Sequence, residues 1–222
     1  MLRMLFCKTE NAVWISHLDT MRLFQRAFKR CGFHLKHTQG FNPRPSVSIA
    51  LPLSVGVESE CELLDFELED QNITCSDIKD KLNGSLIEGM LVTDVYEDGQ
   101  KLKYLKYLRC EIDLIYDQGI PDNAADAIRL LFQRTELWMD KKGKNGKNGI
   151  VSQNIIPMIR ELSVLNQNEH TLRMNAVICC QEPSLNPAQL SAAVVKYLPQ
   201  YTPDEVKCCR KEILDANLQL FR

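Results

Sequence analysis

The chain has nine cysteines but no C-x-x-C among them, and no C-x-x-x-C-x-x-C run that would hold an iron–sulfur cluster. It also lacks a G-x-x-x-x-G-K-[ST] loop, a G-x-S-x-G elbow, a dinucleotide fingerprint and any zinc spacing. These absences exclude the common nucleotide-hydrolysing, serine-hydrolase and redox-cofactor readings, and no metal ligand set is expected. No apolar run approaches the roughly 18 residues of a membrane span, and the first eight residues are too short and too soon charged for a secretory signal. A cytoplasmic protein with no membrane contact is expected. The odd, irregular cysteine count then reads as reduced thiols serving as small hydrophobes.

What is present is ordinary in bulk and uneven in detail. Apolar residues make up 45% and charged residues 25% of 222 residues, enough for one large domain or two small ones. The net charge is −2. Residues 1–48 hold eight Lys/Arg against Glu10 and Asp19, whereas residues 49–99 hold thirteen Asp/Glu against Lys79 and Lys81. Three of the four histidines, His17, His34 and His37, fall in the basic segment. A global charge near zero argues against indiscriminate coating of nucleic acid, while a local basic face suits a specific anionic partner.

Alternation of Leu2, Met4 and Phe6 predicts a strand over 2–8. Ser16 is a good N-cap, with Asp19 placed to complete a capping box. Leu18, Met21, Phe24, Phe28 and Cys31 recur as a buried helical stripe, Arg22, Arg26, Lys29 and Arg30 fall opposite, and Gly32 stops the helix. A short polar strand is expected at 33–37. Val47, Ile49, Leu51, Leu53, Val55 and Val57 predict the clearest strand, with Pro52 implying an edge or a bulge. Leu64, Phe66 and Leu68 suggest its hairpin partner, residues 74–86 a helix and 90–96 a closing strand. The second half repeats the order: a strand at 108–114, a helix from Pro121 carrying Ile128, Leu131, Phe132 and Trp138, strands near 155–165 and 171–180, a helix at 187–198 and a strand near 205–213. The expected fold is α+β: two tandem ferredoxin-like (βαββαβ) halves with antiparallel sheets, divided into residues 1–100 and 101–222.

Chemistry concentrates between Ser16 and Ser48. His17, in the first helical turn, is free to meet a ligand or to bond to backbone. Residues two apart on a helix point about 200° apart, which disfavours a His17–Asp19 dyad; Asp19 is otherwise explained by capping and by pairing with Arg22 or Arg26. The arginine face could meet a phosphate backbone or simply be solvated. In the loop 39–45, Gly40 and Asn42 permit unusual backbone angles. Phe41 either plugs the core or offers a stacking plane, and Gln39 and Asn42 can read a polar edge. The Lys141–Asn148 loop is basic and could close over phosphate or stay solvated.

The run Ser16-His17-Leu18-Asp19, Met21-Arg22-Leu23-Phe24 with Arg26-Ala27, then Gln39-Gly40-Phe41-Asn42-Pro43, Pro45, Ser48, Ala50-Leu51-Pro52-Leu53 and Val55-Gly56-Val57-Glu58-Ser59 resembles the radical-SAM-linked proteins, a domain of unknown function. Ser46 departs from the family's usual basic residue, which weakens a phosphate contact at that position. The resemblance implies a companion of a radical-SAM enzyme. No cofactor is implied in this chain; the partner would carry an iron–sulfur cluster and S-adenosylmethionine, often with a cobalamin-binding region. It also implies RNA- or ribosome-related work. The expectation is an accessory protein that binds RNA through Ser16, His17, Arg22, Arg26, Gln39, Gly40, Phe41, Asn42, Arg44 and Ser48 and presents it for modification. The rival readings are a ribonuclease-like enzyme using His17 and a purely structural adaptor.

Overall fold

The computed structural model describes residues 1–70, 72–142 and 149–222. Most of the basic loop singled out above, from residue 143 to residue 148, lies outside the described residues. The chain divides into two compact units, Met1–Lys103 with Arg222, and Tyr104–Phe221. Both are α+β with antiparallel sheets. Among the described residues no helix is long and apolar enough to cross a membrane.

The first unit runs β1 (Leu2–Lys8), α1 (His17–Arg30), β2 (Val47–Ile49), β3 (Glu58–Phe66), α2 (Cys75–Asn83) and β4 (Met90–Glu97). Its strands lie in the order β4-β1-β3-β2, every neighbour antiparallel. Side chains alternate across a strand, so Met4, Phe6, Leu64 and Phe66 share one buried cluster with Phe24, Ala27 and Phe28 of α1 and Ile78 and Leu82 of α2. The Phe6 and Phe24 rings meet edge to face at 4.8 Å, and Phe28 lies 4.9 Å from Phe66. Helix α1 begins where the Ser16 hydroxyl accepts from the Asp19 N–H at 3.2 Å. It ends at Gly32 (φ 76°), where the amides of Gly32 and Phe33 return to the carbonyls of Lys29 and Phe28. That closure needs the left-handed backbone that glycine adopts without strain.

The second unit runs β5 (Tyr107–Ile115), α3 (Ala124–Phe132), β6 (Trp138–Lys142), β7 (Ile150–Asn154), β8 (Ile159–Asn166), β9 (Thr171–Cys179), α4 (Ala188–Tyr197) and β10 (Glu205–Leu214). Its main sheet has the order β10-β5-β9-β8, again antiparallel. Leu108, Ile112 and Leu114 of β5 are buried, as are Ile128 of α3 and Leu190 and Val194 of α4.

Four expectations need correction. Leu18 is 65% exposed. It stands six residues before Phe24, about 120° around the helix, outside the buried arc of Thr20, Phe24, Ala27 and Phe28. The strand expected over 47–57 stops at Ile49, and after the Ala50 amide reaches Leu63 the chain leaves the sheet. Pro52 has no N–H to continue the ladder, and the Gly56 amide turns to the Val13 carbonyl instead. Residues 33–37 form isolated bridges, Leu35 to Leu68 and His37 to Pro45, rather than a strand. Trp138 belongs to β6, not to a helix, and its carbonyl accepts from Lys196 Nζ and the Tyr197 hydroxyl at 2.9 Å each. The β6–β7 hairpin has no counterpart in the sequence reading.

Candidate nucleic-acid interface

The sequence-predicted residues separate into two places along α1. With 100° per residue, Leu18, Arg22, Arg26 and Lys29 fall within about 80° of one another, and His17 lies about 180° from Arg26. His17 therefore turns toward the sheet. It lines a recess with Thr20, Phe6, Lys8, Glu62 and Leu53 whose volume is about 10 Å³, room for one water at most. The arginines turn to solvent: Arg22 is 64% exposed at its side chain and 2.9 Å from Asp19. The Ser16 hydroxyl and, next, Arg22 hold the Asp19 carboxyl below the usual carboxylate range.

The polar floor beneath His17 is a consequence of register. Lys8 continues the alternation of Met4 and Phe6, and Glu62 continues that of Leu64 and Phe66, so both end on the helix-covered face at its polar end. Lys8 is 2% and Glu62 1% exposed. Lys8 Nζ donates to the Ile15 carbonyl at 2.7 Å and to the Val13 carbonyl at 3.2 Å. It thereby ties down the short helical turn Glu10–Trp14 immediately before the α1 N-cap. Thr20 Oγ1 adds a bond to the Ser16 carbonyl at 2.9 Å. His17 is thus held by a buried ammonium acting through the backbone ahead of it.

The loop expected to join His17 sits elsewhere. Residues 36–38 and 44–46 form a narrow ribbon, with Ser46 N–H donating to the Lys36 carbonyl (2.7 Å) and Thr38 N–H to the Arg44 carbonyl (2.8 Å). The Arg44 amide also donates to Thr38 Oγ1 at 3.1 Å. The tip, Gln39 to Pro43, is exposed, and Phe41 is fully so, which rules out core plugging. The ribbon meets α1 at its later half. Gln25 and Lys29 of α1, His37 and Pro45 of the ribbon, and Phe33 and Leu35 beneath them enclose a recess of about 360 Å³. His17 precedes Gln25 and Lys29 by eight and twelve residues, which is about 12–18 Å along the helix. Ser48 is exposed on β2, opposite Asp65 in register.

Burial also trims the basic segment. Arg3 is engaged by Asp65 at 2.6 Å, with both side chains under 8% exposed, and Lys8 is buried as described. Neither adds to the outer field. Lys36 lies 3.5 Å from Glu67, and Arg30 binds Ser85 through both its hydroxyl and its carbonyl. Arg22, with its tie to Asp19, and Arg26, Lys29 and Arg44 are exposed as well, on the α1 face and the ribbon tip. Larger recesses, of about 770 and 520 Å³, lie in the second unit. The larger is edged by Asp122, Asp126 and Glu169, a poor setting for phosphate. Among the described residues no three His, Cys, Asp or Glu side chains gather as a metal site.

A basic helix face beside an aromatic-tipped ribbon, carried by residues 16–48, sits within the span that matches a known family over residues 1–187. The chain belongs to the family described as "Uncharacterized protein conserved in bacteria (DUF2344)". No curated protein matches this DUF2344 chain. Among solved structures it is similar to "Crystal Structure of a Cbf5-Nop10-Gar1 Complex", at a TM-score of 0.51 and 7% identity, over 96% of this chain and 48% of that one. The DUF2344 chain thus spans about half the length of that chain, and the likeness concerns the fold alone. A second match, "Crystal Structure of an Unknown Protein from Galdieria sulphuraria", has 10% identity and a TM-score of 0.26 over 94% and 96% of the two chains, and carries no argument.

Sequence reasoning overlooked Lys8, Thr20 and Glu62 below His17, and Gln25 and His37 around the recess that Lys29 also lines. A signal existed for the first group. A lysine and a glutamate that continue buried alternations are conspicuous, because charged side chains are almost never fully buried without partners. Nothing local brings His37 to Gln25; the two meet only through the ribbon's return to α1.

Proposed function

We propose that this protein is an accessory partner of a radical-SAM enzyme, binding RNA on the outward face of α1 and the 38–44 tip and presenting it for modification. The observation that carries the RNA part is the alignment of Arg22, Arg26 and Lys29 on one exposed face, with Lys29 lining a recess whose other wall is the ribbon that carries the exposed Phe41 at its tip. Single-stranded nucleic acid is held by such pairings of cations with stacking surfaces. The radical-SAM part is supported by the resemblance of residues 16–59. The partner, not this chain, would supply the iron–sulfur cluster, the S-adenosylmethionine and, where present, the cobalamin. Nine free thiols suit a cytoplasmic setting. The strand orders β4-β1-β3-β2 and β10-β5-β9-β8 support reading each unit as a ferredoxin-like βαββαβ module.

The ribonuclease reading draws less support. His17 faces a recess of about 10 Å³ on the side of α1 away from the arginines, where a scissile phosphate has no room. Filter binding with total RNA at low salt tests the proposal: retention is expected, and free passage of RNA through the filter refutes it. Intact RNA after prolonged incubation is the companion expectation, and cleavage lost in His17→Ala would restore the enzyme reading.

A further inference from the structure

We infer that the recess between the later half of α1 and the 36–46 ribbon is a pocket for a single nucleotide of the bound strand, its base over Phe33 and Leu35 and its phosphate at Lys29. This deepens the RNA-binding reading and rests on it.

The lining side chains of this pocket are carried on a backbone frame pinned by hydrogen bonds. The ribbon is held to itself by the Lys36–Ser46 and Thr38–Arg44 bonds. Its base is held to the end of β3, where Lys36 N–H donates to the Glu67 carbonyl and Glu69 N–H to the His34 carbonyl. The facing wall is helical. A pocket so framed exists before its ligand arrives, which spares the ordering cost of binding. Its volume of about 360 Å³ falls within the usual range for small-molecule sites, and a nucleotide is of that order of size.

Its lining suits the parts of a nucleotide in turn. Phe33 and Leu35 are 4% and 8% exposed and form an apolar floor, and Pro45 flanks them. Phe33 is itself fixed, edge to face against Phe28 at 6.3 Å and with Lys81 Nζ 5.4 Å from its ring centre. Gln25 presents both a donor and an acceptor, and Glu69 an acceptor for an exocyclic amine; together they can engage a base edge. Lys29 and His37 stand at the rim. Lys29 lies three residues beyond Arg26 and seven beyond Arg22, on the same helix face, so a strand whose phosphates follow the arginines is led to the pocket mouth. A bare polyanion would use the arginine face and leave the floor empty. The pocket therefore predicts a requirement for bases, beyond one for phosphates.

Fluorescence anisotropy with a labelled single-stranded RNA of about 12 nucleotides, and with its fully abasic twin, tests this directly. One seated base should favour the base-containing strand by roughly tenfold. Gln25→Ala and His37→Ala, both at the rim and outside the core, should each reduce that preference severalfold while leaving thermal unfolding unchanged. Nucleoside monophosphates, titrated as competitors, separate a strand-borne nucleotide from a free one. If both strands bind equally and neither variant matters, the pocket is overturned while RNA binding by the arginine face stands. If no strand binds but a monophosphate does, and the variants abolish it, the pocket stands as a small-molecule site and the RNA reading falls. Binding of neither strand and of no monophosphate overturns both.

Discussion

Replacing Lys8 with methionine should loosen the start of α1 and cost the first unit about 3 kcal/mol. Lys8 Nζ serves two carbonyls, of Ile15 at 2.7 Å and Val13 at 3.2 Å, from a side chain that is 2% exposed. Hydrogen bonds from a charged donor contribute about 1.5–3 kcal/mol each, so their loss alone costs roughly 3–6 kcal/mol. Against this, methionine fills a similar volume and the folded state no longer buries an ammonium, which returns several kcal/mol. Glu62 lines the same recess, so the exchange also removes a cation from beside an acidic side chain, which moves the balance back. A net cost near 3 kcal/mol is a large share of a typical stability of about 5–15 kcal/mol. The two tryptophans, Trp14 and Trp138, lie in different units. In a Trp138→Phe background, Trp14 fluorescence during urea unfolding reports the first unit. It sits at the end of the turn that Lys8 holds. A fall in the urea midpoint with an unchanged slope is expected, together with faster amide exchange from residue 15 through 20. A cost below about 1 kcal/mol, with exchange there unaltered, would refute the claim that Lys8 anchors the α1 N-terminus.

Other expectations follow from single contacts. Ser16→Ala removes the cap on the Asp19 amide and should cost about 1 kcal/mol by the same urea assay, with Ser16→Gly costing less. Gly89→Ala should unfold the first unit or cost well over about 2 kcal/mol, since an added Cβ would lie 2.3 Å from the Thr9 carbonyl oxygen and φ is +79°. Burial pushes the Cys180 thiol up to about 12 and the Cys208 thiol to about 11. Both stay protonated at neutral pH, and their thiolates gain population only as pH approaches those values. Iodoacetamide mapping at pH 8 should therefore modify both far more slowly than in the urea-unfolded chain.

Much of the fold was legible because it rests on short-range patterns. The alternation of Leu2, Met4 and Phe6, the Ser16 cap, the Gly32 stop, the order of elements in the first half and, apart from the β6–β7 hairpin, that in the second can all be read from residues a few places apart. Errors arose where a pattern was followed past its physical support. Val47 to Val57 alternates as a strand should, but Pro52 withholds a ladder donor and Gly56 turns away. Leu18 is apolar yet off the buried arc, so composition misassigned it where angle would not have. The candidate site was legible in part. Arg22 and Arg26 share the exposed face that helical spacing implies. His17 was grouped with them by proximity in sequence, although its place in the helical turn directs it to the sheet. The relation of the 38–44 tip to Gln25 and Lys29 depends on the chain doubling back through the His37–Pro45 bridge, a long-range contact that no local period encodes. Charge counting likewise treated Arg3 and Lys8 as surface cations, when strand register places both inside.

The proposed RNA binding runs through the exposed cations on the outward face of α1. Affinity for a single-stranded RNA, measured for the wild type and for the Arg22→Ala/Arg26→Ala double variant between about 50 and 200 mM salt, tests it most directly. Each phosphate contact on a single strand contributes about 0.7 to the slope of log affinity against log salt, so the variant's slope should be shallower by about 1.4, with the fold intact. Equal slopes for the two proteins, or no binding by the wild type at the lowest salt, would contradict the claim.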